Sequence, residues 1–85
     1  MNEKTRQLYF RFLEFLAETD FEDLERAKLQ ELELYAENYL IGTELHNDAV
    51  SRVQNAIRFL DASEHGAAVF EIKSLLTGVE RRIRS

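Results

Sequence analysis

Apolar side chains recur every three or four residues along four stretches of this chain, and no proline interrupts any of them. This period places the apolar side chains on one face of an α-helix. Runs of β-branched residues, which favour strands, are missing, whereas Leu, Glu, Ala and Arg are plentiful. The pattern predicts an all-α fold of about four helices. The short connections predict a small up-down antiparallel helical bundle.

The apolar stripes give the bounds of the first two predicted helices. The first covers roughly residues 3–17, and its apolar stripe consists of Leu8, Phe12, Phe15 and Leu16. The second is expected to begin after Thr19, because Glu22 follows at capping-box spacing, and to run to about Leu40 before the stop at Gly42. Its stripe consists of Phe21, Leu24, Leu32, Tyr35, Ala36 and Tyr39. Lys28 interrupts this stripe, so either its side chain reaches out to water or the helix divides there; we expect one helix.

The third and fourth helices have clear stripes. The third begins after Thr43 or Asn47, both of which are good N-caps, and ends in the segment 61–66. Its stripe consists of Val50, Val53, Ile57 and Leu60. The fourth runs from about Ala67 to Arg82, with a stripe of Ala68, Ile72, Leu75, Leu76, Val79 and Ile83.

The length of 85 residues predicts a single domain, 1–85, with a small core. Cysteine is absent, so packed apolar side chains must stabilise the fold without disulfides. No apolar run approaches the ~18 residues of a membrane span. The start, Met1 to Lys4, has no apolar segment of the kind found in signal peptides. We therefore expect a cytoplasmic protein that does not contact a membrane.

The net charge of −5 is unevenly distributed. Residues 1–42 hold ten acidic and five basic side chains, whereas residues 43–85 hold six of each. The acidic side chains are densest between Glu18 and Glu37. Such a surface repels nucleic acid and attracts basic proteins, which predicts a basic protein partner and no direct contact with nucleic acid. The alternative is a solvated helix face that only keeps the protein soluble.

The residues that carry catalytic or metal chemistry do not form a recognisable motif. His46 lies near Asp48, and His65 lies near Asp61 and Glu64, but neither group reaches three ligands of zinc quality. The three glycines are isolated, so no phosphate-binding loop is present, and no serine has the context of a nucleophile elbow. We expect no catalytic residues, no metal site and no cofactor.

Two sets of residues are candidates for a partner-binding surface. One consists of the acidic side chains Glu22, Asp23, Glu31, Glu33 and Glu37. If Phe21, Leu32 and Tyr39 face the core, then Asp23, Glu33 and Glu37 point to solvent together. The other consists of Phe10, Phe59 and Phe70, which lie off the stripes of their own helices. Either these helices pack on more than one face, or the rings belong to an interface.

The segment 56–68 resembles the Maf-type immunity family, small all-helical immunity proteins of bacterial polymorphic-toxin systems. Members have a helix with an aromatic-aliphatic pair, then a Glu-x-Gly turn and an Ala-rich helix. Here these features read as Phe59-Leu60, Glu64-His65-Gly66 and Ala67-Ala68, with Ser63 where glycine is usual. The resemblance implies an immunity protein that guards against a secreted nuclease toxin. It covers a structural turn, so it assigns no inhibitory residue.

The leading hypothesis is therefore an immunity protein or antitoxin that binds a basic toxin, most naturally a nuclease, through the acidic face. One alternative is a small phage or plasmid regulator that binds a host protein. Another is a structural module that forms a homodimer through the first or second helix.

Overall fold

A computed structural model describes the whole chain, Met1–Ser85, as four α-helices joined by short connections. Helix α1 spans Glu3–Ala17, α2 spans Arg26–Tyr39, α3 spans His46–Asp61 and α4 spans His65–Arg84. The predicted all-α class and the predicted bounds of α1 are confirmed. None of the four helices combines the length and the apolar character that crossing a membrane requires.

The helices pack in a closed ring in chain order, because α1 contacts α2, α2 contacts α3, α3 contacts α4 and α4 contacts α1. Contacts between side chains show in which direction neighbouring helices run. Arg26 at the start of α2 pairs with Asp61 at the end of α3, with Nε and Oδ1 3.0 Å apart. Asp48 near the start of α3 lies beside Gly78 near the end of α4. Neighbouring helices therefore run antiparallel in a bundle that measures 39 × 20 × 16 Å.

All four helices contribute to one core. Its buried side chains are Tyr9, Phe12, Leu16, Leu24, Leu29, Leu32, Ala36, Leu40, Leu45, Ala49, Val53, Ala56, Ala68, Ile72, Leu75 and Val79. The predicted stripes of α1 and α4 thus face the interior, with Leu8 and Phe15 half-buried at its edges. In α3 only Val53 of the predicted stripe is buried, between Ala49 and Ala56, and its other members are half-buried. The small residues Ala49, Ala56 and Ala68 are fully buried where α3 and α4 contribute to the core.

The predicted start of α2 is wrong, because residues 20–25 are not helical and α2 begins at Arg26. A helix that buried Leu24 would aim Lys28, four residues later, at the core. The chain instead starts the helix later, which buries Leu29 and leaves Lys28 at the flank, with Nζ 3.6 Å from the centroid of the Phe15 ring. Thr19 does not cap α2. It is buried, and its hydroxyl donates to the Phe15 carbonyl at 3.5 Å.

The later start also turns the core-facing side of α2 away from the predicted one. Leu29, Leu32 and Ala36 are buried, whereas Tyr39, predicted to face the core, is 57% exposed. The Tyr39 ring packs instead on Tyr35, with ring centroids 4.8 Å apart. Tyr35 in turn stacks on Phe12 at 5.4 Å, between α1 and α2. Burial raises the pKa of the Tyr35 phenol above its ordinary value, so this hydroxyl stays protonated.

The start of α3 lacks the N-cap that was predicted at Thr43 or Asn47. Helix α3 begins at His46, and neither Thr43 nor Asn47 caps it with a side-chain hydrogen bond. The Thr43 hydroxyl donates to the Leu40 carbonyl at 2.6 Å and so closes the preceding turn. Gly42, the predicted stop, has φ +83°, a conformation that the turn needs and that glycine adopts without strain.

The turn between α3 and α4 has the hydrogen bonds of a Schellman motif. The Glu64 amide donates to the Phe59 carbonyl at 2.8 Å, and the Ser63 amide donates to the Leu60 carbonyl at 3.0 Å. Ser63 holds the left-handed position, with φ 62°. Helix α4 therefore starts at His65, two residues before the predicted Ala67, and Gly66 lies inside its first turn.

We expect Ser63→Gly to raise the free energy of unfolding by about 0.5–1 kcal/mol, because glycine adopts positive φ without the penalty of a Cβ atom. Urea unfolding followed by circular dichroism measures the change. Ser51→Gly is the matched control, since Ser51 is exposed within α3 and glycine there should lower stability. Destabilisation by Ser63→Gly equal to that of the control would contradict the strained turn.

Candidate protein-binding surface

The connection between α1 and α2, residues 18–25, forms an acidic loop. It carries Glu18, Asp20, Glu22, Asp23 and Glu25, all of them exposed. The Asp20 Oδ1 atom accepts hydrogen bonds from the backbone amides of Glu22 at 3.0 Å and Asp23 at 3.3 Å. A short polar side chain that bonds the amides ahead of it fixes a turn and competes with helix formation. The loop therefore has a defined backbone from which its carboxylates project.

Apolar and neutral side chains attach the acidic loop to the bundle. Leu24 is 5% exposed and belongs to the core, and Thr19 is buried as well. Phe21 is half-buried against the core, and Lys73 of α4 reaches to within 5.4 Å of its ring centroid. These anchors restrict the loop before any partner binds, which lowers the entropy that binding would cost.

The carboxylates of the acidic loop have no ion-pair partners. The salt bridges of the protein join Arg26 to Asp61 and Arg52 to both Asp48 and Glu71. Lys28 is the one basic side chain lining the shallow depression of about 250 Å³ that the loop forms. Unpaired carboxylates at the surface keep their full charge available to a basic partner.

The antiparallel arrangement concentrates this charge at one end of the long axis. The turn between α3 and α4, with Asp61 and Glu64, lies at the same end as the acidic loop. Asp61 is partly neutralised by Arg26, whose pKa is raised by the hydrogen bond and the charge of Asp61. The last turn of α4, with Arg81, Arg82 and Arg84, lies at the opposite end. The bundle is therefore acidic at the end that carries the loop, whereas the opposite end carries both signs, with Glu3 and Glu44 near these arginines.

The acidic residues of α2 do not form the single face that was predicted. Glu33 is half-buried in a groove between α2 and α3, where it lies near Arg26 and Arg58. Glu31 and Glu37 are exposed, but at about 100° per residue they point about 120° apart around the helix. The expectation that Asp23, Glu33 and Glu37 project together from one helix is wrong, because Asp23 lies in the loop before α2 and Glu33 is half-buried, whereas Glu37 is exposed one turn later.

The three off-stripe phenylalanines have different environments. Phe10 is 44% exposed and Phe70 is 66% exposed, whereas Phe59 is half-buried and packs against the core. Phe59 lies seven residues, or two turns, after Arg52 and so shares its side of α3. Arg52 pairs with Glu71 of α4 at 3.1 Å, which shows that this side faces α4. Phe59 therefore packs against the core on the side of α3 that faces α4, and it is less exposed than the other two rings.

Phe70 is exposed in the second turn of α4, in the half of the bundle that carries the acidic loop. It precedes Lys73 by three residues on the same side of α4, and Lys73 contacts Phe21 of the loop. Phe10 lies near the middle of α1, roughly 12 Å along the helix from Glu18. Leu34 and Ile41 are also exposed, and the apolar stripes had given no sign of either. The structure thus brings Glu22, Asp23 and Phe70 to one end of the bundle and leaves Phe10 and Glu37 outside it.

The histidines lie apart from any cluster of ligands. His46 Nδ1 is 3.3 Å from the side-chain oxygen of Asn47, and His65 is exposed in the first turn of α4. No three His, Cys, Asp or Glu side chains are placed so that they could hold a metal ion. The chemistry that this end of the bundle offers is electrostatic and apolar contact.

Comparisons with protein-family models, with curated proteins and with solved structures gave no match to this chain.

Proposed function

We propose that this protein is a non-enzymatic binding module, an immunity protein or antitoxin that neutralises a basic toxin, most naturally a nuclease. The observation that carries the proposal is the acidic loop, with its unpaired carboxylates on an anchored backbone at one end of the bundle. A nuclease binds a polyanion through lysine and arginine side chains, so a cluster of carboxylates competes for the same cleft.

Phe70 supplies the apolar part of this interface. A ring that is 66% exposed in the same half of the bundle as a set of charges can act as the aromatic anchor of a binding site with a polar rim. The concentration of negative charge at one end of the bundle also orients the protein as it approaches, so that the acidic loop turns towards a basic cleft.

The proposal is tested by measuring whether this protein inhibits a nuclease toxin whose gene neighbours its own. We expect the wild type to abolish cleavage of DNA or RNA at an equimolar ratio. The double variant Glu22→Lys, Asp23→Lys should lose that inhibition, because it puts like charges opposite the basic cleft. The matched control is Glu3→Lys, Glu44→Lys, which changes the net charge equally at exposed positions at the opposite end.

The outcomes separate recognition by the loop from an effect of net charge. Inhibition retained by the control and lost by the loop variant supports the acidic loop as the binding site. Equal loss in both variants, or full inhibition by the loop variant, contradicts it. Cleavage that is unaffected by the wild type contradicts the function as an inhibitor of that toxin.

A further inference from the structure

A polar cleft of about 400 Å³ lies at the end of the bundle opposite the acidic loop. The start of α1, the connection between α2 and α3 and the last turn of α4 form its walls. The residues lining it are Met1, Asn2, Thr5, Tyr9, Gly42, Thr43, Glu44, Arg82 and Ser85. A cleft of this size accommodates a small molecule rather than a single ion.

Tyr9 forms the floor of this cleft. Tyr9 is only 2% exposed, and its hydroxyl makes no hydrogen bond within the protein. Every side-chain nitrogen or oxygen that is fully buried in this protein does have a hydrogen-bond partner, so the Tyr9 hydroxyl cannot be fully buried. The hydroxyl must therefore open into the cleft that Tyr9 lines. Side chains on a helix lean towards its N-terminus, which aims the Tyr9 ring at the first turn of α1, where the cleft opens. A hydroxyl that opens into a cleft from a mostly buried ring can exchange its hydrogen bond with water for one with a ligand.

Hydrogen-bond donors converge around this floor. Arg82 has no carboxylate partner, and only its Nη1 atom is engaged, by donation to the Gly78 carbonyl at 3.3 Å. The Asn2 side-chain oxygen accepts from the Thr5 amide at 2.8 Å, which leaves the Asn2 NH₂ group free to donate. Arg82, Asn2, Thr5 and Tyr9 thus offer donors from several directions to a ligand rich in oxygen atoms.

We propose that this cleft binds a small phosphorylated molecule of the sugar-phosphate class. The guanidinium fork of Arg82 suits two oxygens of a phosphate, and the donors on α1 suit the remaining oxygens. Glu44 at the rim accepts hydrogen bonds from ligand hydroxyls, which a sugar carries. The volume of about 400 Å³ leaves room for a sugar beside the phosphate. This site lies at the other end of the bundle from the acidic loop and does not depend on the proposed toxin inhibition.

Titration calorimetry of the full chain with glucose 6-phosphate tests the proposal, with glucose and inorganic phosphate as separate arms. We expect saturable binding of the sugar phosphate at one site, weaker binding of inorganic phosphate and no binding of glucose. Amide NMR shifts should map to Thr5, Gly42 and Thr43, which line the cleft. No saturable binding of glucose 6-phosphate, or shifts confined to other parts of the chain, would overturn the proposal.

Two variants and a matched control locate the contacts. Tyr9→Phe removes only the hydroxyl, and we expect about tenfold weaker binding with an unchanged Tm, because that hydroxyl has no partner in the protein. Arg82→Gln should weaken binding by at least about tenfold. Arg84→Gln removes the same charge from an exposed arginine outside the cleft and should leave binding unchanged.

The control also excludes a diffuse charge effect. If Arg84→Gln weakens binding as much as Arg82→Gln, the ligand responds to the positive charge of the last turn of α4 in general, and the proposed site is wrong. A fall in Tm for Tyr9→Phe would show that the hydroxyl holds the fold, which contradicts its assignment to a ligand.

Discussion

Leu75→Ala should lower the free energy of unfolding by about 2–5 kcal/mol. Leu75 is fully buried in the middle of α4, in the core to which all four helices contribute. Truncation removes apolar surface from the interior and leaves a cavity that close-packed neighbours fill only in part. A domain of this size is stable by only about 5–15 kcal/mol, so the loss is a large share of the total. The Tm should fall by at least about 10 °C.

Leu34→Ala is the matched control for this prediction. It makes the same chemical change inside a helix, but the Leu34 side chain is 57% exposed on α2. We expect its free energy of unfolding to stay within about 0.5 kcal/mol of the wild type. Urea unfolding monitored by circular dichroism at 222 nm measures both variants. A loss below about 1 kcal/mol for Leu75→Ala, or equal losses in the two variants, would be incompatible with the described core.

The second large effect is expected on the rate of association with the toxin. Glu22→Lys, Asp23→Lys should slow association by about 10–100-fold at low salt, because long-range attraction between opposite charges becomes repulsion. The dependence of the rate on salt should weaken or reverse, since screening shortens the range of both forces. Both positions are exposed in the loop, so the fold should tolerate the change.

Phe70→Ala separates the apolar contact from the charges. The ring is 66% exposed and uncharged, so its loss should mainly raise the dissociation rate and leave the association rate nearly unchanged. Phe10→Ala is the control, as an exposed ring far from the loop. Stopped-flow or surface-plasmon measurements over a range of salt concentrations give both rates. Unchanged association rates in the charge-reversed variant would rule out recognition by the acidic loop.

The candidate surface was only partly predictable from the sequence. The density of acidic side chains between Glu18 and Glu37 is a local property, and it marked Glu22 and Asp23 correctly as exposed. The sequence could not show that Glu33 turns towards Arg26 and Arg58, since that depends on the side of α2 that α3 covers. Nor could it show that Lys73 of α4 reaches the Phe21 ring of the loop, because the two residues lie on separate elements.

The sequence by itself determined the fold class, the number of helices and the core faces of α1 and α4. These follow from the period of apolar residues, which each helix expresses on its own. Only the tertiary structure decided where α2 begins and which side of it is buried. The apolar period of α2 is interrupted by Lys28 at a position that the pattern assigns to the core. Leu24 and Leu29 are both buried because the helix does not extend back to Leu24. Packing against α1 and α3 determines this start, because burying the charge of Lys28 would cost more free energy than beginning the helix at Arg26, after a loop.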